Sequence, residues 1–155
     1  MRILVATDGS PHSQPALDAV LSRPWPEGTI VRVLVAVPYP YLFTTYEWYV
    51  AEQALAATIN EESKRHAQSV AGEAARRLRE RGFAVETAVR EGDPRIEIVQ
   101  EALDWNADLI IMGSHGHTGL RKFLLGSVAQ HVISHAPCSV EVARARGRDQ
   151  GAPSD

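Results

Sequence analysis

The sequence predicts a single α/β domain in which a parallel sheet is covered by helices on both faces. Two observations lead to this fold class. Five short apolar segments alternate with helical segments along 155 residues, and such alternation requires right-handed crossovers between parallel strands. The strand segments are nearly continuous in apolar residues, which is typical of strands buried on both faces. Ligands of such sheets bind outside the carboxyl ends of the strands.

The first half of the chain opens with a strand, a helix and a second strand. An apolar run over residues 2–7 ends in turn-forming residues, as short buried strands do. Ser10 is expected to cap the first helix, with Pro11 at its first position and its end near Leu21. Residues 29–37 are almost entirely apolar and β-branched, which predicts a second buried strand.

A long helix is predicted over about 51–81, where strong helix formers dominate and apolar residues keep a helical period. Gly82 is expected to stop it. The aromatic-rich segment 39–49 before it could cover a ligand, face a partner or fold back onto the core. The third strand, 83–89, alternates in hydrophobicity, which favours a place near the edge of the sheet.

The last third of the chain is predicted to continue the alternation. Gly92-Asp93-Pro94 opens a helix, which is followed by a strand, a glycine-rich loop, another helix and a final strand. The expected spans are 94–105, 108–112, 113–126, 128–135 and 139–143. The last strand is expected to form an exposed edge. One domain is therefore predicted over 1–143, with a polar, flexible tail over 144–155.

Composition excludes several classes of protein. A formal net charge of −3 gives no electrostatic reason to expect nucleic acid or an anionic membrane as a partner. No apolar run approaches the ~20 residues that span a bilayer, and the apolar start is too short for a signal peptide. With Cys138 as the single cysteine, no internal disulfide can form, so we expect a cytoplasmic protein.

The loop after the fourth strand carries the strongest functional pattern. Gly113-Ser114-His115-Gly116 is followed by nine residues and then by Gly126-Ser127. Glycines let backbone N–H groups approach an anion, and the loop ends at a helix start that favours phosphate. The alternative is a connecting loop in which Ser127 and Gln130 form an ordinary capping box. The pattern is neither a Walker A motif nor a GxGxxG fingerprint.

This spacing resembles the ATP-binding signature of the universal stress protein family. Further segments resemble the family in the same order and cover roughly residues 1–143; they are 3–10, 91–94, 107–114 and 135–140. The resemblance implies a three-layer sandwich with a five-stranded parallel sheet of order 3-2-1-4-5, the adenine nucleotide alpha hydrolase-like fold. It also implies an adenine nucleotide as ligand: ATP, or AMP or ADP, with magnesium.

The resemblance further implies a set of binding residues. Asp8 would face ribose hydroxyls or a magnesium ion, although an aspartate before glycine more often bonds its own turn. The backbone of Val37 would meet the adenine, the alternative being plain core. Gly92 and Pro94 would wall the adenine side. The whole implied set is Ala6, Thr7, Asp8, Val37, Met112, Gly113, Ser114, His115, Gly116, Gly126, Ser127 and Val128.

The function implied is a nucleotide-dependent regulatory module of the stress response. Neither an arginine finger nor a base for an attacking water is evident, so hydrolysis is expected to be slow or absent. A slow ATPase or nucleotidyl-transferring enzyme of the same fold is one alternative, and a ligand-free dimeric interaction module is another. Because family members commonly pair their last strands, we expect a homodimer through residues 139–143. A regulatory protein partner is expected but not identified.

Four other features have simpler interpretations. His-Gly-His at 115–117 is similar to an element of adenylyl-transferring enzymes, but there it follows the first strand. His131 and His135 face one way on a helix, and the lack of further ligands favours a polar face over a zinc site. Cys138 is interpreted as a buried small residue. The charged run 61–65 is interpreted as a solvated helix face.

Overall fold

The computed structural model describes residues 1–39, 49–114 and 125–144, and only the backbone of residues 49–56. Within these ranges the elements alternate as the sequence predicts. The strands are β1 (Arg2–Ala6), β2 (Ile30–Val37), β3 (Ala84–Glu91), β4 (Leu109–Gly113) and β5 (Ser139–Ala143). The helices are α1 (Gln14–Leu21), α2 (Tyr49–Arg79), α3 (Pro94–Asp104) and α4 (Ser127–His135). None of these described helices is long and apolar enough to cross a membrane.

The five strands form one parallel sheet of order β3-β2-β1-β4-β5, which confirms the predicted order. β1 is central, with Ile3 aligned with Val31 on one side and with Leu109 on the other. The chain builds outward from β1 to β3 and then crosses to β4, so the strand order reverses between β1 and β4. The carboxyl ends at this reversal are where open α/β sheets bind ligands.

Two apolar layers hold the sheet between its helices. Successive side chains of β1 point to opposite faces, so Ile3 and Val5 pack beneath α1 and α2, while Leu4 packs beneath α3 and α4. All three side chains are completely buried. Burial on both faces explains why this strand is a continuous apolar run rather than an alternating one. The edge position predicted for β3 is confirmed, as is that of β5.

The start of α1 differs from the prediction. The helix begins at Gln14, so Ser10 does not cap it and Pro11 lies in the turn before it. The N–H of Ser13 donates to the carbonyl of Ser10 (3.1 Å), which closes that turn, and Ser13 is the residue at the cap position. Pro15 occupies the first turn of the helix instead. Both prolines suit a first helical turn, and the local pattern does not distinguish them.

A buried ion-pair network fixes α3 against the sheet. Glu101 of α3 is 4% exposed, and its carboxylate accepts hydrogen bonds from Arg32 of β2 (2.6 Å) and from Arg90 of β3. The Arg32 guanidinium also stacks over Trp105 at 4.5 Å from the ring centroid. A carboxylate buried to this extent is tolerated because both partners are charged and hydrogen-bonded to it. The network fixes the second half of α3 against β2 and β3.

Candidate functional site

A cavity of about 910 Å³ opens at the carboxyl edge of the sheet. The ends of β1, β2 and β4 form its floor, one stripe of α2 forms a wall, and the first turns of α3 and α4 close the far side. Its size lies within the ~300–1,000 Å³ usual for small-molecule sites. The cavity therefore lies where the topology of the sheet places a ligand.

Ten residues of the predicted binding set lie in the described part of the chain, and all ten line this cavity. These residues are Ala6, Thr7, Asp8, Val37, Met112, Gly113, Ser114, Gly126, Ser127 and Val128. Two further predicted residues, His115 and Gly116, lie outside the described residues. Pro94, predicted for the adenine side, also lines the cavity, whereas Gly92 does not. The structure thus brings together residues that are up to about 120 positions apart in the sequence, as expected where parallel strands end at one edge.

The β1–α1 turn places a carboxylate at the cavity. The N–H of Ser10 donates to Oδ1 of Asp8 (3.0 Å), and the N–H of Gly9 donates to the hydroxyl of Thr7 (3.2 Å). Thr7 also shares a hydrogen bond with the Ser13 hydroxyl (2.8 Å). Asp8 therefore has the turn bond that the simpler interpretation expects, and its side chain lines the cavity as well. The two roles are compatible because a carboxylate offers several acceptor sites.

Gly113 is a glycine because of its packing. A Cβ added at this position would lie 2.3 Å from the carbonyl oxygen of His12, on the turn before α1. No real side chain tolerates that distance. Neither segment can move away easily, because Gly113 belongs to β4 and the His12 carbonyl belongs to the backbone directly before α1. The requirement for glycine here follows from the approach of two chain segments, whatever ligand binds.

The base of the glycine-rich loop is closed by backbone hydrogen bonds. The N–H of Ser114 donates to the carbonyl of Ala143 (3.2 Å), and the N–H of Gly126 donates to the carbonyl of Ser114 (2.9 Å). Two amides that the sequence suggests for an anion therefore bond protein carbonyls. The described amides that remain for an anion are those of the first turn of α4.

The N-terminus of α4 lacks a side-chain cap. Gly126 occupies the cap position with extended backbone (φ −63°, ψ 156°), and within the described part of the chain no side-chain cap hydrogen bond is made there. The capping box suggested by Ser127 and Gln130 is not formed, because Ser127 is the first helical residue and the Gln130 amide donates to the carbonyl of Leu125 (2.9 Å). The first N–H groups of a helix have no acceptor within it, and the helix dipole makes this end positive. Residues 126–129 line the cavity, so this end suits an anion.

The charged side chains that line the described part of the cavity are acidic. They are Asp8 and Glu62, with His66 nearby on the same wall, and no lysine or arginine of the described residues joins them. Glu62 is nevertheless exposed, so interpreting the run 61–65 as a solvated face holds for this residue as well. Lys64 of the same run points elsewhere and pairs with Glu91 at the end of β3 (2.9 Å). Within the described lining, the groups available to an anion are therefore backbone amides, or a cation held by the carboxylates.

The wall contributed by α2 is the part of the site that sequence reasoning missed. Its lining residues are Ile59, Glu62, Ser63, His66 and Ala67. Residues spaced by three and four lie on one face of a helix. This spacing is the only feature of the sequence that could have indicated that these residues share a wall of the cavity. Tyr39 lines the cavity as well; the rest of the aromatic segment, from 40 to 48, lies outside the described residues.

The end of β2 combines core packing with a backbone contact. The side chain of Val37 is 6% exposed and belongs to the core beneath α2, so the simpler interpretation of this residue holds for its side chain. Its carbonyl accepts the N–H of Gly92 (2.9 Å). Gly92 has a φ of +145°, a conformation that side chains other than glycine rarely adopt. This bond brings the start of α3 to the cavity.

Cys138 lies apart from the cavity and is half-buried. Burial raises the pKa of its thiol, and the charge of Asp108 adds to the effect. The thiolate is therefore disfavoured, and a thiolate is the nucleophilic form. This agrees with its interpretation as a small packed residue.

An open parallel sheet with helices on both faces and a cavity at its point of strand reversal defines a protein of the doubly wound α/β class. The profile described as the universal stress protein family matches residues 1–144. The chain belongs to the universal stress protein family.

Individual relatives agree with this assignment. The universal stress protein MJ0531 of Methanocaldococcus jannaschii is 33% identical over 146 residues, which span 92% of this chain and 81% of that protein. The solved structure of MJ0577, from the same organism, superposes with a TM-score of 0.81 at 29% identity, covering 94% of this chain and 96% of that one. A family protein of Arabidopsis thaliana, solved with AMP bound, has a TM-score of 0.70 at 19% identity, covering 100% of this chain and 97% of that one. At that identity the likeness concerns the fold.

Proposed function

We propose that this chain is an ATP-binding universal stress protein in which the nucleotide is a regulatory ligand. The observation that carries the proposal is the uncapped N-terminus of α4, which opens into a nucleotide-sized cavity at the strand reversal. A helix end without a cap costs stability unless water or a ligand bonds its N–H groups. A polyphosphate would satisfy them and interact favourably with the helix dipole.

The lining residues divide into three groups along the cavity. The adenine would lie against the end of β2 and Pro94, where the lining is apolar and the Val37 backbone is close. The ribose hydroxyls would bond Asp8. The phosphates would meet the N–H groups of Ser127 and Val128 and the Ser127 hydroxyl. AMP and ADP would make the same adenine and ribose contacts as ATP. They have fewer phosphates, so they would make fewer contacts with α4.

Magnesium is proposed as a companion of the phosphates. The described lining offers carboxylates and no lysine or arginine, and carboxylate oxygen is a ligand that Mg²⁺ prefers. No group of three or more His, Cys, Asp or Glu within the described residues could hold a metal ion alone. The ion would therefore be held by Asp8, phosphate oxygens and water, and it would supply charge neutralisation at the phosphates.

We expect the bound nucleotide to be hydrolysed slowly or not at all. Phosphoryl transfer needs positive charge at the transition state and a group that orients the attacking water. The described lining contains no arginine or lysine. The AMP-bound Arabidopsis relative supports an adenine nucleotide as the ligand of this fold, and a retained nucleotide is the simplest basis for a regulatory role.

The proposal is tested by releasing and measuring the nucleotide. Protein purified from cells is denatured, and the supernatant is analysed by chromatography; the expected result is an adenine nucleotide near one equivalent. Isothermal titration with ATP-magnesium then compares Ser127→Ala with Ser134→Ala, a matched change on the same helix at a residue outside the cavity. Losing the Ser127 hydrogen bond should weaken binding about fivefold, and Ser134→Ala should leave it unchanged. Empty protein that also ignores added ATP would refute the proposal.

We further propose that two chains pair through the outer edge of β5, and that the protein is cytoplasmic. β5 is an edge strand with the half-buried Val140 and Val142 beside the core. An unpaired edge favours pairing with a second strand, and a twofold axis closes such pairing at a dimer. Sedimentation equilibrium at micromolar concentration should give a dimer mass; a monomer at all concentrations would contradict the pairing.

A further inference from the structure

The last two turns of α4 carry a pair of stacked histidines outside the nucleotide cavity. The ring centroids of His131 and His135 lie 4.0 Å apart, and the ring planes differ by 16°. His131 is half-buried and His135 is exposed. The sequence favours a plain polar face here, but the contact shows that the spacing of four residues brings the two imidazoles together on one side of the helix.

One hydrogen bond fixes the tautomer of His135. Its Nδ1 lies 2.9 Å from the carbonyl oxygen of His131. A carbonyl oxygen can only accept, so Nδ1 must carry the proton and donate it. The lone pair is then on Nε2, which is the form in which histidine binds a metal, and the backbone bond holds the ring in place.

The surroundings favour a cation at this pair. His131 lies within electrostatic range of Asp93, whose pKa is lowered mainly by hydrogen bonds from Arg95 and to a smaller extent by His131. The pair also lies at the C-terminal end of α4, where the helix dipole is negative. Both features stabilise positive charge, and neither depends on the nucleotide.

We propose that His131 and His135 chelate a divalent late transition metal, Zn²⁺, Ni²⁺ or Cu²⁺, with the His131 ring turning out of the stack so that the lone pairs of the two rings converge on the ion. Imidazole suits these three ions. Within the described ranges no third His, Cys, Asp or Glu joins the pair as a ligand, so water completes the coordination. Affinity is therefore lower than in sites with three or four protein ligands, and Cu²⁺ binds most tightly of the three.

Metal binding here is separate from nucleotide binding. Neither histidine is among the residues that line the cavity, and His135 lies nine residues beyond Gly126, roughly 13 Å along the helix. An ion that bridges residues one turn apart binds the folded helix more tightly than the unfolded chain. It therefore raises the melting temperature by mass action.

The test titrates Cu²⁺ and Zn²⁺ into the untagged, metal-free full chain. We expect about one equivalent in the wild type and a loss of affinity on the order of 10- to 100-fold or more in His131→Gln and in His135→Ala. His12→Ala, an exposed histidine away from the pair, should bind like the wild type. Circular dichroism establishes that each variant is folded.

Electron paramagnetic resonance of the Cu²⁺ form identifies the ligands of the ion directly. The wild-type spectrum should contain hyperfine coupling from two imidazole nitrogens, and His135→Ala should reduce it to one. Absence of imidazole coupling in the wild type would overturn the proposal. So would loss of the signal in a His115→Ala/His117→Ala variant with both histidines of α4 intact.

Discussion

The first turns of α3 and α4 differ although the two helices pack together on one face of the sheet. Asp93 caps α3: its carboxylate accepts the N–H of Arg95 (2.9 Å) and also pairs with the Arg95 side chain. α4 begins after Gly126, which has no side chain to offer. The chain thus closes one helix end with its own carboxylate and leaves the other open to the cavity. A ligand anion can satisfy only the open one.

The largest expected effect comes from giving α4 a cap of its own. In Gly126→Asp, the carboxylate would bond the first turn and repel phosphate, so ATP affinity should fall about 100-fold or more. The φ of Gly126 is negative, so the backbone conformation suits residues other than glycine, and ligand-free stability should hold or rise. Titration calorimetry measures the first effect, and urea unfolding measures the second.

Gly72→Asp is the matched control for that variant. It adds the same charge on an exposed turn of α2, where an added Cβ meets nothing within 4 Å. ATP affinity should be nearly unchanged there. If Gly126→Asp binds ATP as well as Gly72→Asp does, the end of α4 is not the phosphate site.

Removing the cap of α3 should produce the opposite pattern. Asp93→Ala should lower the free energy of unfolding by about 1 kcal/mol through the lost cap, with little change in ATP affinity. Asp93→Asn should keep most of the stability, because asparagine is an equally good cap. Urea unfolding of the three proteins distinguishes these cases. Equal stability of Asp93→Ala and the wild type would contradict the capping role.

The smallest expected effect is a pH dependence of that cap. Hydrogen bonds from Arg95 hold the pKa of Asp93 below its usual value of 3.8. The unfolded chain therefore binds the proton more readily, so this carboxylate stabilises the fold above that value and stops doing so as pH falls through the folded pKa. The stability advantage of the wild type over Asp93→Asn should shrink below about pH 4. Unfolding curves at stepped pH would show a constant difference if the pKa were unperturbed.

Much of the fold could be predicted because it depends on local pattern. Ile3, Leu4 and Val5 read as a strand buried on both faces, and their complete burial bears this out. The alternation in β3 similarly indicated an edge strand. The start of α1 could not be located, because Pro11 and Pro15 fit a first turn equally well and only the Ser10–Ser13 turn decides between them.

The parts of the site that were missed depend on tertiary neighbours. Gly113 reads as an anion-binding glycine, yet the His12 carbonyl is what forbids a side chain there, and no local pattern reveals that contact. Glu62 and His66 are exposed residues of α2, and only the placement of α2 against the sheet edge brings them beside the cavity. Similarly, the amide of Ser114 looks free until β5 supplies the Ala143 carbonyl.

The hydrogen bond between Ser114 and Gly126 closes the β4–α4 loop at its base. Because this bond joins the sheet to α4 at the base of the loop, insertions or deletions farther along the loop need not strain either of them. The entropic cost of closing a longer loop rises slowly, by about 0.6 kcal/mol of free energy for each doubling of its length. Proteins of this fold can therefore change the length and sequence of this loop to suit different ligands, while the sheet and α4 fold unchanged.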